Sequence, residues 1–440
     1  MPNIPIETLQ KADKVLGLVA CAAVSPIGSV RRFRSRCGSP ERHVERVLLV
    51  KFWGIGSLQL LTPAVGVLRR RHPGARLTLL TLAENAAFAR GLGAWDEVVT
   101  LDIRGAGWLA LAGRFLGLVR GLHRRRFDVV YDFEFFTRFS AVVSALTSAR
   151  SVHGFRAPSV WRGGVHTRTV PFNRYWHVAR NFRALAGGED GEDVTPAEVL
   201  PFRIEAASAA HVESLLASLR PGSAGPLVVL NPNAGRLSLE RRWPPERFGE
   251  LARRLATELG ATVVFIGARS ESQYTRAAAA LAAGAPHGHV HSLAGALTIA
   301  GLVALLDRAD VVVSNDSGPM HVAAALGTPT LGLFGPETPV MYRPLGRRAR
   351  VLWRPPICSP CINVHDNKVA NCIHGRPECL VNITVDMVLA ATMKLLEGET
   401  LVPAAPPRAP QPLLAHEPMA PRAPSAQAPS GGLNLPTILG

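Results

Sequence analysis

Short apolar runs rich in valine and leucine recur along most of this chain, each followed by a stretch of helical length. They fall at 47–51, 77–80, 98–101, 129–131, 227–230, 263–266, 311–313 and 330–334. Runs this short and this apolar suit strands buried on both faces, and such strands belong to parallel sheets covered by crossover helices. The helical stretches lie at 58–71, 110–124, 245–258, 299–308 and 320–326. Alternation in both halves predicts an α/β chain of two Rossmann-like, doubly wound domains facing each other across a cleft. In such sheets ligands sit beyond the carboxyl ends of the strands.

A length of 440 residues, 47% hydrophobic and only 19% charged, suits two globular cores rather than one. A helical stretch at 206–220 followed by PGSAGP reads as a connector. The expected organisation is a first domain at 45–205, a linker at 206–226 and a second domain at 227–398. The segment 399–440 is rich in proline and alanine, cannot bury a core, and is expected to be disordered.

The leader, 1–44, carries an apolar run at 15–30 that Pro26 interrupts and that RRFRSR follows. A signal peptide places its positive charges before the apolar run, not after it. Two readings stand. One is a helix lying on an acidic membrane surface with Arg31, Arg32, Arg34 and Arg36 toward lipid phosphates. The other is a poorly ordered leader. No stretch of 18 uncharged apolar residues occurs, so a spanning helix is not expected.

Lys and Arg number 49 against 33 Asp and Glu, a formal net charge of +16. That excess either marks a polyanionic partner, such as a nucleotide or an acidic lipid surface, or reflects an Arg-rich, Ala-rich composition. No zinc-finger, helix-turn-helix or aromatic RNA-binding signature is present, so no nucleic-acid partner is expected.

Three motifs carry chemistry. KFWGIGSLQLLTP (51–63) runs from a strand through Gly54 and Gly56 into a helix, and glycines there either let backbone N–H groups approach a ligand or serve the turn alone. LNPNAGRLSLERRWPPERF (230–248) places Asn231 and Asn233 at a strand end, then Arg236, Arg241 and Arg242 before a helix. Arginines so placed either grip a diphosphate through two N–H bonds or make a solvated basic loop. VVVSNDSGPMHVAAALGTPTLGLFGPETP (311–339) is the most informative. Its strand ends at Asp316, Ser317 and Gly318 turn, Pro319 opens a helix, and His321 lies in the first turn. Backbone N–H groups and the helix dipole make an anion cradle there. Asp316 either bonds a sugar hydroxyl or forms the turn, and His321 either joins the site or satisfies the helix start. A second strand-end loop follows with Glu337, and two such loops side by side describe a nucleotide-sugar site.

These motifs, in this order, resemble family 9 glycosyltransferases, the heptosyltransferase-like proteins of the GT-B fold, over roughly 47–395. The resemblance implies transfer of a sugar, typically heptose from ADP-heptose, onto a lipopolysaccharide core or related lipid-linked glycan acceptor. It implies inversion at the anomeric carbon, no metal in catalysis, a donor on the second domain and an acceptor on the first. The expected location is the cytoplasm, peripheral on the inner face of the cytoplasmic membrane where the leader lies on it. The family's donor contacts carry over to Asn231, Asn233, Arg241, Arg242, Asp316, Ser317, Gly318, Pro319 and His321, with Arg241 where a donor-binding lysine is usual. Glu271 matches a ribose-binding acid.

One departure matters. The family's opening glycine turn ends in an aspartate, the expected general base, and this chain has Ser57. A serine hydroxyl takes no proton at neutral pH without its own base. Asp132 and Glu134, at the end of an N-terminal strand, are the substitutes; otherwise the acceptor needs little help, or the protein binds a nucleotide sugar without turnover. Cys358, Cys361, Cys372 and Cys379, with His365 and His374 nearby, either hold a structural zinc or remain thiols.

Overall fold

A computed structural model describes residues 6–37, 43–103, 107–157, 160–188, 193–220, 225–235, 238–362 and 372–398. The tail, Arg236 and His365 lie outside the described residues.

The first half runs α1 (Ile6–Cys37), β1 (Arg46–Val50), α2 (Ile55–Arg71), β2 (Arg76–Leu82), α3 (Ala86–Leu92), β3 (Glu97–Leu101), α4 (Trp108–Arg124), β4 (Val129–Asp132), α5 (Phe139–Ala145), β5 (Ser151–Arg156), β6 (Arg168–Pro171) and α6 (Val178–Leu185). The second runs α7 (Ala206–Leu219), β7 (Leu227–Asn231), α8 (Pro245–Leu259), β8 (Thr262–Phe265), α9 (Ser272–Ala280), β9 (Val290–Ser292), α10 (Ile299–Arg308), β10 (Val311–Asn315), α11 (Gly318–Leu326), β11 (Thr330–Phe334), α12 (Pro339–Tyr342), β12 (Ala349–Trp353), α13 (Glu378–Val381) and α14 (Val385–Leu396).

Two six-stranded sheets result, ordered β3-β2-β1-β4-β5-β6 and β12-β11-β10-β7-β8-β9. Every strand pair in both is parallel. The order reverses between β1 and β4 and between β7 and β10, and a crevice opens at each reversal. Register places Val50 opposite Asp132 at the first and Asn231 opposite Ser314 at the second.

Side chains alternate along β1. Val47 and Leu49 pack with α2, whereas Leu48 and Val50 face Leu122 at the end of α4 and Val143 of α5. The two halves meet where α2 crosses α11. A Cβ on Gly56 would stand 2.7 Å from the His321 ring and 3.1 Å from Gly318 Cα, so the crossing requires glycine on both helices.

The leader is an ordered helix, and two expectations, on Pro26 and on the arginines, change. The helix continues through Pro26. By length and composition, residues 11–34 suffice to cross a membrane, because the helix takes in the flanking charged residues that ended the apolar run. Arg31 and Arg32 point inward, Arg31 donating to the Ser144 and Thr147 carbonyls and Arg32 to the Gly164 and His166 carbonyls. The side chain of Arg36 lies outside the described residues.

Candidate active site

At the second switch point the chain leaves β10 through Asn315 and Asp316 and enters α11 at Gly318, with Pro319 in the first helical turn, where its missing N–H costs nothing. Asn315 turns away from the crevice, its Oδ1 accepting from Trp243 N at 3.0 Å, and Trp243 is wholly buried with its indole N–H on the Ile383 carbonyl. Trp243 thereby fixes the loop carrying the two arginines. Arg241 Nη1 donates to Asp316 Oδ2 at 3.0 Å and to the Asp316 carbonyl at 3.1 Å. The pair is largely shielded, with side-chain exposures of 14% and 7%.

Asn231 ties the strand ends together, its Nδ2 donating to Ser317 Oγ at 2.7 Å and Ser314 Oγ at 3.1 Å. Asn233 faces the Ile266 carbonyl at 3.1 Å and Thr275 Oγ1 at 3.0 Å. Both asparagines brace the loops from behind. Glu271 Oε2 accepts from Ala268 N at 3.0 Å in the loop after β8. Glu337 and His321 are buried, His321 against Gly56. Tyr342, which sequence reasoning missed, is buried in the same place. Burial and the charges of Glu337 and Asp316 push its pKa well above the usual phenol value. Nothing in its local sequence, PVMYRP, separates it from an ordinary core tyrosine.

Arg242 does not join Arg241. Its guanidinium stacks 4.1 Å over the Tyr274 ring and borders a separate cavity of about 710 Å³ with Glu240, Arg247 and Arg376. Arg241 closes a 3₁₀ turn (Leu239–Arg241) and Arg242 follows it, so successive side chains point about 120° apart.

At the first switch point Gly54, with φ of 77°, caps α2, and Ser57 sits half-buried in its first turn. Glu134 is completely buried and its Oε1 accepts from Lys51 Nζ at 2.8 Å, Phe52 N at 2.8 Å and Trp53 N at 3.2 Å. Its Oε2 has no hydrogen-bond partner among the described residues. Asp132 is as enclosed as Glu134. It is fully buried, and its Oδ2 takes hydrogen bonds from Arg162, from Ser140 Oγ at 3.2 Å and from His166 Nε2 at 3.2 Å. Burial pushes its pKa up, but Arg162 and His166 outweigh that and hold it below the usual carboxylate value.

The zinc reading of the late cysteines gains no support from the described residues, and the loop at 363–371 lies outside them. Among the described residues no group of three or more His, Cys, Asp or Glu side chains is placed to hold a metal. Cys358, Cys361, Cys372 and Cys379 are free thiols, and Cys358 Sγ lies 3.6 Å from His374 Nε2. Cys379 packs with Leu380 and Ile383 in the core of the second sheet, where burial pushes its thiol to about 11.

Paired doubly wound sheets, each with a polar switch point, define a two-domain α/β protein of the GT-B class. The sequence profile of glycosyltransferase family 9 (heptosyltransferase) matches residues 115–372, more than half of the chain, and the chain belongs to that family. Lipopolysaccharide heptosyltransferase 2 of Salmonella typhimurium is 31% identical over 174 residues, 40% of this chain and 48% of that protein. The chain thus spans about half the length of the first curated relatives it matches. Lipopolysaccharide heptosyltransferase 3 of Escherichia coli is 22% identical over 349 residues, 78% of this chain and 95% of that one. Among solved structures, ADP-heptose lipopolysaccharide heptosyltransferase II of E. coli superposes with a TM-score of 0.63 at 22% identity, covering 81% of this chain and 100% of that chain.

Proposed function

We propose that this chain transfers a heptose-type sugar from ADP-heptose to a lipopolysaccharide-core or related lipid-linked glycan, inverting the anomeric centre without a catalytic metal. The donor occupies the second half (227–398) and the acceptor the first (45–205), on the cytoplasmic side of the membrane that holds the acceptor. The observation that carries the reading is the Arg241–Asp316 pair at the mouth of β10, beside the first turn of α11.

The acceptor hydroxyl attacks the anomeric carbon, and the bond from that carbon to the diphosphate oxygen breaks. Negative charge then grows on the leaving diphosphate, where the Arg241 guanidinium and the start of α11 neutralise it. Asp316 orients Arg241. Glu134 accepts the hydroxyl proton, since its Oε2 is the carboxylate oxygen left unpartnered at the first switch point. Ser57 in place of the family's aspartate favours a second reading, in which the protein binds the donor without turning it over.

Incubation with ADP-heptose and core oligosaccharide, followed by mass measurement of the acceptor, separates the two. Added heptose, lost in Glu134→Gln while donor binding persists, supports transfer. Donor binding with no product from the wild type, and product on Ser57→Asp, supports the second reading.

A further inference from the structure

We propose that the outer faces of α1 and α4 form one docking surface for an anionic lipid bilayer. This goes beyond the transfer reaction and does not depend on it.

The rotation of α1 about its axis is fixed by two anchors on α5. The Asp13 carboxylate accepts from Arg138 N at 3.0 Å and Phe139 N at 2.7 Å at the start of α5, and Arg31 donates to carbonyls at its end. An anion at the amino end and a cation at the carboxyl end match the dipole of α5. Between the anchors the inner face is narrow: Cys21 is buried and Gly28 lies against the Gly164 carbonyl, where a Cβ would stand at 1.9 Å. The helix is therefore held flat on the domain, and while so held it does not span a bilayer.

The outer face is apolar. Val15, Val19 and Phe33 are exposed by 66%, 65% and 69%. On the other side of α5, α4 packs through Phe115, whose ring lies 5.7 Å from that of Phe139. It turns outward Trp108, Leu109 and Leu116, exposed by 53%, 91% and 54%. Helices α4 and α5 cover the sheet face opposite to α2, so this surface and the crossing of α2 with α11 lie on opposite sides of the first sheet.

Charge selects the occupant. α4 contains no acid, and neither does α1 from Lys14 to its end; the acid before it, Asp13, points inward. Exposed Lys14, Arg34, Arg120 and Arg124 accompany the apolar side chains. Apolar residues flanked by cations on helices held in one layer match an acyl boundary below anionic headgroups. A second copy of the chain would bring the same positive charge to the contact and be repelled.

The test uses the full chain in flotation with vesicles of phosphatidylethanolamine alone or mixed with phosphatidylglycerol in equal parts. The wild type should float with the anionic vesicles only and be released as salt rises. Leu109→Glu/Leu116→Glu on α4 and Val15→Glu/Val19→Glu on α1, each checked for an unchanged thermal midpoint, should each lower the vesicle affinity by about tenfold or more. Trp108→Phe gives a readout that leaves the fold alone: it should remove a blue shift in tryptophan emission that anionic vesicles induce in the wild type. Equal flotation with both vesicle types, no flotation of the wild type, undiminished flotation of the α4 variant, or a concentration-dependent dimer burying this face would overturn the proposal.

Discussion

Arg241 and Asp316, 75 positions apart, meet at 3.0 Å beside the first turn of α11. The carboxylate holds the guanidinium at a helix end whose own dipole favours an anion. On the proposed reading, a diphosphate arriving there is met by a cation already oriented.

Arg241→Lys keeps the charge but removes the planar guanidinium, whose Nη1 binds both the carboxylate and the carbonyl of Asp316 while Nη2 binds the Ala234 carbonyl. The expected result is a fall in donor kcat/KM of about ten- to a hundredfold, the worth of one or two charge-assisted hydrogen bonds. Steady-state kinetics with ADP-heptose check it, and an unchanged kcat/KM speaks against the assigned role.

Gly56→Ala places a methyl carbon 2.7 Å from the His321 ring and 3.1 Å from Gly318 Cα. Backbone on one side and a buried ring on the other leave little room to yield, so overpacking of about 1–3 kcal/mol follows. Urea unfolding should show it. The neighbouring Gly54→Ala strains the backbone at φ of 77° but meets no atom within 4 Å, so its cost is conformational rather than steric.

Glu134→Gln leaves Lys51, only 1% exposed, without its counter-charge. Breaking a buried pair from one side costs about 3–5 kcal/mol. Adding Lys51→Met should return most of that stability without returning transfer. A single variant as stable as the wild type would show that the pair contributes little.

His177 ties the halves together, its Nε2–H donating to the Arg343 carbonyl at 3.0 Å while Nδ1 accepts from Ala179 N at 3.3 Å. Burial, helped by the Arg343 charge, pulls its pKa from 6.5 to about 3. The unfolded chain binds the proton at a higher pH than the folded chain does. This contribution is therefore complete above about pH 6.5 and is lost as pH falls toward about 3. Asp132, also held low, adds a loss at lower pH, below about 4. Thermal midpoints measured downward from neutral pH should fall first in the histidine window, and His177→Gln should make that part of the curve shallower, His153, which burial also pulls to about 3, keeping the rest of the fall.

Central strands were legible because burial on both faces leaves uninterrupted apolar runs: the run at 330–334 is β11 itself. The edge strands β6, β9 and β12 and their neighbour β5 were not. RTVP and VHS are short and half-solvated, and β5 and β12 break their runs with Gly154 and Arg350. At the site, the Asp316–His321 turn was legible from strand, turn and proline in sequence. The divergence of Arg242 from Arg241 was not, because it depends on a single 3₁₀ turn. Nor was the fate of Asp132, whose partners Arg162 and His166 come from a loop about thirty residues downstream with no periodic pattern. The docking of α1 was hidden for a similar reason: its inner face is built from Gly17, Cys21 and Gly28, which carry no amphipathic signal.

The most direct measurement is calorimetric binding of ADP-heptose to the wild type and to Arg241→Ala, with Arg242→Ala as the companion variant. Tight binding by the wild type, loss of about tenfold or more in affinity for Arg241→Ala and a smaller change for Arg242→Ala are expected, since only Arg241 faces Asp316. Wild-type affinity in Arg241→Ala, or a larger loss from Arg242→Ala, would contradict the placement of the leaving diphosphate at the mouth of β10.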